Sequence, residues 1–271
     1  IKHDLESLIR RVKLDSKHQQ DVWGLAYNPT HMAGLQVFFQ ALFNKNPLIR
    51  LFGLSKKEIQ YSISRYNITH ISATPTYFRM LLDKDTSFTS VKRITTGGES
   101  CDMSLLDSLK KMFPHAEFRN IYASTEAGSI FESNSDIFEI KDKFQSMVKI
   151  ENGELIIHHD LLASSMRSTG NIESWYSTGD LVEIVNTRPL KIRFIGRKNE
   201  MINVGGYKVN PEKVELEINK IKGVNGSRVY SKENNLIGKV ICADIELSNR
   251  KMTEIEIRKK LKVHLQDYEI P

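Results

Sequence analysis

Between residues 48 and 122 short apolar runs alternate with amphipathic stretches, and this alternation constrains the fold more than any other feature of the chain. Strands are predicted at Leu48–Leu51, His70–Ala73, Arg93–Thr96 and Glu117–Tyr122, and helices at Lys56–Tyr66, Thr76–Leu82 and Ser104–Met112. Ser55 and Glu58 form a capping box at the first helix. Strand-then-helix repetition predicts an α/β fold, with a parallel sheet covered by helices and binding groups in the loops at the carboxyl ends of the strands. Three polar loops fall there: Ala73-Thr74-Pro75-Thr76, Thr96-Gly97-Gly98-Glu99 and Tyr122-Ala123-Ser124-Thr125-Glu126.

Upstream, Leu5, Leu8, Ile9 and Val12 recur at helical spacing and predict a helix from Asp4 to about Leu14. A short buried strand over Val22–Ala26 leads through Asn28-Pro29-Thr30-His31 into an apolar helix that reaches Leu42. His31, where a strand gives way to a helix, is placed to meet a ligand, and the same position also suits an ordinary surface residue. Downstream, Asn152-Gly153 between two apolar runs predicts a hairpin, and residues 158–172 read as an irregular loop. A second hairpin joins Leu181, Val182 and Ile184 to Ile192, Phe194 and Ile195 through Asn186–Pro189. Its entry carries Thr178-Gly179-Asp180 and its exit Gly196-Arg197, so an acid and an arginine share one rim and could hold a ligand's hydroxyls; each taken alone also reads as a turn. After a Gly205-Gly206 pair, Asn210 as N-cap and Pro211 at the first helical position predict a helix to about Ile221. Strands near Ser227–Tyr230 and Val240–Leu247, joined through Glu233-Asn234-Asn235, and a helix over Glu254–Leu265 capped by Thr253 and Glu256 complete a small α+β unit.

Composition removes several classes of function. With 271 residues and 40% hydrophobic content the chain can bury a sizeable core. No run approaches the roughly 18 apolar residues of a membrane span, and the start has no secretion signal, so a soluble cytoplasmic protein is expected. The charge of +6 is scattered, without the stripe and interleaved aromatics of a nucleic-acid groove, so no nucleic-acid partner is expected. Cys101 and Cys242 lack metal-ligand or disulfide spacing and read as ordinary buried thiols.

The loops carry groups that suit a nucleotide. Gly97 and Gly98 let backbone approach a flat ring, Asn120 offers an amide and Tyr122 an aromatic face. Thr125 supplies a hydroxyl for a phosphate, and Glu126 is the hard oxygen ligand that Mg²⁺ prefers. The bland reading of N-x-Y-x-x-T-E is a strand end followed by a helix cap. Taken jointly, Gly97-Gly98-Glu99, the N-x-Y-x-x-T-E run, Trp175-Tyr176-x-Thr178-Gly179-Asp180 and the stretch from Gly196-Arg197 to Gly205-Gly206-Tyr207-Lys208-Val209-x-Pro211 resemble the AMP-forming adenylating superfamily. That superfamily contains acyl-CoA synthetases, carrier-protein adenylation domains and luciferases.

The resemblance implies a large α/β domain over residues 1–198, with a parallel sheet and a β-hairpin or barrel portion. A small mobile α+β domain over residues 199–271 would follow, with the hinge near Asn199. It implies that ATP or AMP is held by Gly97, Gly98, Asn120 and Tyr122 at adenine and by Asp180 and Arg197 at ribose, with Glu99 also among the cofactor-binding residues. Thr125, Glu126 and His31 would be catalytic, with Mg²⁺ on Glu126, and Pro29-x-His31-x-x-Gly34 resembles the motif that contacts the carboxylic acid substrate. Gly205 and Gly206 would lie beside the thiol of coenzyme A, or of the phosphopantetheine on an acyl-carrier protein. Gly153-Glu154-Leu155 matches a short family motif with a mainly structural role. The sequence departs from the family at Ala123, usually Gly, at Asn199, usually Asp, and at Asn203, usually Lys. The lysine of the phosphate loop is expected before Ile1, and the late catalytic lysine beyond Pro271. A binding protein that keeps the adenylate pocket without catalysis is the alternative from another class.

Overall fold

The computed structural model describes residues 5–9, 12–83, 85–99, 101–163, 166, 174–234, 238–248 and 252–271. The chain divides into two compact units. Unit 1 comprises residues 1–149, 156–176 and 184–192; unit 2 comprises residues 150–155, 177–183 and 193–271.

Unit 1 opens with α1 (Leu5–Ile9), β1 (Trp23–Leu25), α2 (Met32–Phe43), β2 (Leu48–Arg50), α3 (Lys56–Arg65), β3 (His70–Ala73) and α4 (Pro75–Leu81). It continues through β4 (Arg93–Gly97), α5 (Met103–Met112), β5 (Glu117–Ser124), β6 (Gly128–Ser133), β7 (Ile137–Glu139) and α6 (Asp142–Gln145). The main sheet runs β2-β1-β3-β4-β5-β6. The first five strands are parallel and β6 is antiparallel at the edge. Ile71 and Ala73 of β3 and Ile94 of β4 meet Ile63, Phe78, Leu81, Leu106 and Leu109 from α3, α4 and α5 in one buried cluster. Trp23 and Leu25 pack with Val37 and Ala41 of α2 in another. Phe78 is fully buried, and such a side chain contributes about 1.5–3 kcal/mol by leaving water.

At the amino ends of β1 and β3 sits a buried polar group. Asp21 Oδ2 lies 2.9 Å from His18 Nδ1 and 3.5 Å from His70 Nε2, and the His70 ring lies 4.7 Å from that of Trp23.

Strands β8 (Val148–Glu151), β9 (Glu154–His158), β10 (Trp175–Thr187) and β11 (Leu190–Arg197) join β7 in a second sheet of order β7-β11-β10-β9-β8. The remainder of unit 2 holds β12 (Ile202–Val204), β13 (Tyr207–Val209), α7 (Pro211–Asn219), β14 (Val224–Asn234), β15 (Gly238–Leu247) and α8 (Glu254–Leu261). Val209, Val214, Ile218, Val229, Ile241 and Leu261 form its core.

Several expectations change. The first helix ends at Ile9, residues 10 and 11 lie outside the described residues, and Val12–Asp15 is not helical. There the Lys13 backbone is taken by α2: its N–H donates to Gln40 Oε1, and its carbonyl accepts from Gln40 Nε2 and Asn44 Nδ2. Strand β6, and the paired strands β12 and β13 with Gly205-Gly206 as their two-residue turn, were not expected. The last helix stops at Leu261, four residues early. Cys101 is buried, while Cys242 is only half-buried. Much of the expected loop at 158–172, and Asn235 of the expected β14–β15 turn, lie outside the described residues. Among the described residues, no helix is long and apolar enough to cross a membrane.

Candidate nucleotide site

In unit 1 the parallel register sets Thr96 opposite Asn120 and Gly97 opposite Ile121. The chain leaves β4 through Gly98, whose φ of +83° suits glycine, and nothing lies within 4 Å of where its Cβ would point. That bare backbone is exposed. Glu99 turns back instead: its Oε2 accepts from Thr76 N at 2.9 Å and Thr76 Oγ1 at 2.6 Å, satisfying the first turn of α4.

Asn120 is likewise engaged within the protein. It is buried, donates from Nδ2 to Ser135 O at 3.0 Å, and accepts at Oδ1 from Thr96 Oγ1 at 3.1 Å. Tyr122 stacks on Phe131, with centroids 5.8 Å apart and planes 16° from parallel. Tyr27, just past β1, was not foreseen as a site residue. Its hydroxyl donates to Gly97 O at 3.3 Å, and burial pushes the phenol pKa well up, aided by the Glu99 charge, so the group stays a donor.

Thr125, Glu126 and Ala127 reverse the chain from β5 into antiparallel β6. This corrects the helix-cap reading. Thr125 is exposed and Glu126 half-buried; Glu126 O accepts from Ala163 N at 2.7 Å, and Ser124 Oγ from Ala127 N at 3.1 Å. His31 is the exposed N-cap of α2 and makes no side-chain cap. Its backbone hydrogen bonds, from its N–H to Asn28 O and from Leu35 N to its carbonyl, stay within the turn. Gly34 explains the spacing of the motif: a Cβ there would sit 2.1 Å from Asn28 O, so α2 begins against bare backbone.

In unit 2 the acid and the arginine of the second predicted hairpin meet. Arg197 Nε lies 2.9 Å from Asp180 Oδ1; Asp180 is buried and the Arg197 side chain is more than half exposed. Glu154 organises what surrounds them. Its buried carboxylate accepts from the Ser177 hydroxyl, from Gly179 N at 2.9 Å and from Lys198 Nζ at 2.9 Å. The Ser177 hydrogen bond, then Lys198 and the Gly179 N–H, hold its pKa below the usual carboxylate value against desolvation. Thr178 Oγ1 donates to Leu155 O at 2.7 Å and accepts from Asp180 N at 3.1 Å. Asn210 caps α7 through Glu212 N at 2.9 Å and donates from Nδ2 to Ile195 O, tying the end of β11 to that helix. Asn199 is exposed in a 3-10 turn over Lys198–Glu200. Gly206 N donates to Asn203 Oδ1 at 3.0 Å, so Asn203 closes the β12–β13 turn.

Unit 1 thus offers open backbone at Gly98, an aromatic face and the half-buried Glu126, and unit 2 by itself offers a buried carboxylate paired with an exposed guanidinium. Residues 4–152 match the family described as AMP-binding enzyme. The 2-succinylbenzoate–CoA ligase of Bacillus subtilis is 27% identical over 278 residues, covering 93% of this chain and 56% of that protein. Bacitracin synthase 3 of Bacillus licheniformis is 23% identical over 255 residues, covering 83% of this chain and 4% of that protein. Among solved structures, O-succinylbenzoate coenzyme A synthetase from Bacillus subtilis, in complex with ATP and magnesium ion, matches with a TM-score of 0.69 and 21% identity. It covers 97% of this chain and 58% of that one, a likeness of fold. The chain thus spans about half the length of the ligase relatives it matches.

Proposed function

The chain belongs to the AMP-binding enzyme family, and on that premise we propose that it is part of an ATP-dependent acid–thiol ligase. A carboxylate would attack the α-phosphorus of ATP, pyrophosphate would leave, and a thiol would then displace AMP from the acyl-adenylate. We assign the thiol to coenzyme A, with the phosphopantetheine of a carrier protein as the alternative. The coenzyme A ligase relative supports this order, being 27% identical to this chain against 23% for the peptide synthase.

The observation that carries the reading is the Asp180–Arg197 pair. A buried carboxylate fixed by an arginine is pre-oriented to accept ribose hydroxyls through charge-assisted hydrogen bonds. Gly97, Gly98 and Tyr122 would take adenine, with Asn120 and Glu99 shaping the loops through Ser135, Thr96 and Thr76. Thr125 would donate to the α-phosphate, and His31 would face the carboxylic acid. Held by Glu126, Mg²⁺ would supply neutralising charge to the phosphates. Residues 199–271 would turn about Asn199 between half-reactions, bringing Gly205 and Gly206 to the thiol.

Calorimetry with AMP and 2′,3′-dideoxy-AMP tests the ribose assignment. Asp180→Ala should weaken AMP by about ten- to a hundred-fold, from the loss of about 1.5–3 kcal/mol of hydrogen bonding to a charged group, and spare the dideoxy analogue. Equal losses for both would overturn it. The 271-residue chain should bind AMP in the same calorimetry. The hinge is tested in the full-length ligase: Asn199→Pro, which fixes φ and removes an N–H, should slow thioester formation and leave adenylation intact. Equal slowing of both steps would remove Asn199 as a hinge.

A further inference from the structure

We propose that His158, His159 and Asp160 form a binding site for a borderline divalent cation, Zn²⁺ or Ni²⁺, chemically distinct from the Mg²⁺ role given to Glu126. One ligand atom from each of the three residues can be chosen so that all lie within 4.8 Å of one another. His158 Nδ1 is 3.2 Å from Asp160 Oδ2, and His159 Nε2 is 3.1 Å from Asp160 Oδ1. With metal–ligand bonds of about 2.0–2.2 Å, neighbouring donors in a tetrahedral or octahedral shell stand roughly 3.0–3.5 Å apart. Both N···O separations are therefore already those of adjacent ligands. Binding requires each ring to present a lone pair at the nitrogen now facing Asp160, so the metal would replace the hydrogen bond that His158 Nδ1 now accepts from Asp160 N at 3.4 Å.

The three residues are held in place by their surroundings. His159–Leu161 is a 3-10 turn closed by Leu162 N donating to His159 O at 3.0 Å, and His159 N donates to Ser174 O at 3.0 Å. The His158 ring sits edge-on to Trp175, with centroids 5.3 Å apart and planes at 80°, and the two imidazoles lie 4.4 Å apart. About half of the Asp160 side chain is exposed, which leaves a path for the ion and coordination positions for water.

Two imidazoles and one carboxylate select Zn²⁺, Ni²⁺ or Cu²⁺ over Mg²⁺ and Ca²⁺, which favour all-oxygen shells. His159 Nδ1 is buried and, among the described residues, has no hydrogen-bond partner. Metal at Nε2 leaves the ring proton on that nitrogen, and an unmet buried donor weakens the complex. Affinity should therefore fall on the order of micromolar, below that of a closed structural zinc site.

Titration of the 271-residue chain with ZnCl₂ or NiCl₂ by calorimetry, with the histidine ring resonances followed by NMR, tests this. The expected result is one site per chain in which the His158 and His159 rings shift together, unchanged by excess Mg²⁺. His159→Ala and Asp160→Asn should each weaken Zn²⁺ by about ten- to a hundred-fold, the loss that removing even a supporting group causes. His115→Ala, at another exposed histidine, should have no effect. Absence of saturable binding, shifts confined to other histidines, or wild-type affinity in both site variants would overturn the proposal. Should a variant misfold, the ring shifts of the unaltered chain still decide it.

Discussion

In unit 1 the side chains at the strand ends turn inward: Asn120 is held by Ser135 and Thr96, and Glu99 by Thr76, so the surface they leave is the bare backbone of Gly98. In unit 2 the group left exposed is the Arg197 guanidinium, paired with the buried carboxylate of Asp180 beside the Ser177, Gly179 and Lys198 contacts of Glu154. One surface is open backbone and the other is electrostatic. Steric substitutions should therefore damage the first, and removal of charge the second.

The largest effect is expected where backbone touches backbone. Gly34→Ala would press a methyl to 2.1 Å from Asn28 O, and overpacking against backbone, which cannot swing aside as a flexible side chain can, belongs at the upper end of the usual cost of about 1–3 kcal/mol. Urea unfolding would show it as a lowered midpoint for unit 1, and a wild-type midpoint would show that α2 can shift freely. Next comes Glu154→Ala, which strands Gly179 N–H and the Ser177 hydroxyl. Losing hydrogen bonds to a buried charge costs about 1.5–3 kcal/mol, with little added for the solvated Lys198 ammonium. AMP should bind this variant more weakly through a displaced Asp180, while an unchanged AMP isotherm would confine Glu154 to stability.

Acid should separate the two units. Burial lowers the His70 pKa from 6.5 to about 4, against the pull of Asp21 and with Arg93, His18 and Lys92 adding to the decrease. Between those values the unfolded chain takes up a proton that native His70 declines, so stability present above pH 6.5 falls as the pH drops towards 4. Glu154 has a folded pKa below its ordinary 4.5, so its contribution is present above pH 4.5 and is lost only as the pH falls through the folded value. Hydrogen exchange followed by mass spectrometry at pH 7, 5.5 and 4 should show residues 18–26 and 68–73 losing protection before residues 177–183. The reverse order would refute this assignment, and His70→Gln should abolish the upper window.

The smallest stability effect is expected at Gly98→Ala. Placing alanine at φ +83° costs about 1–2 kcal/mol, with no neighbour to clash. AMP affinity should nevertheless drop by more than the stability does, since the methyl would occupy the open face assigned to adenine. Comparison of calorimetry with thermal unfolding separates the two, and equal losses would make Gly98 a turn residue alone.

The elements legible in the sequence were those made by neighbours along the chain. The capping box of Ser55 and Glu58, the Asn210-Pro211 helix start and the Asn152-Gly153 turn all form as read. Strands β12 and β13 escaped notice because three residues each are too few to display a period, and β6 because Ile130 and Phe131 lie within a polar run. Among the candidate site residues, the pairing of Asp180 with Arg197 followed from the hairpin register.

What the sequence determined by itself, then, was the alternation of strands and helices, their caps and turns, and the family-like order of Gly97-Gly98-Glu99, Thr125-Glu126, Asp180 and Arg197. The tertiary structure alone decided which of those polar groups face outward. Asn120 and Glu99 are held by partners 15 to 24 residues away, and Glu154 reaches 23, 25 and 44 residues along the chain to Ser177, Gly179 and Lys198. A cap or turn closes over three or four residues and is written in local order. A hydrogen bond across strands depends on register and burial, which exist only once the sheets have formed.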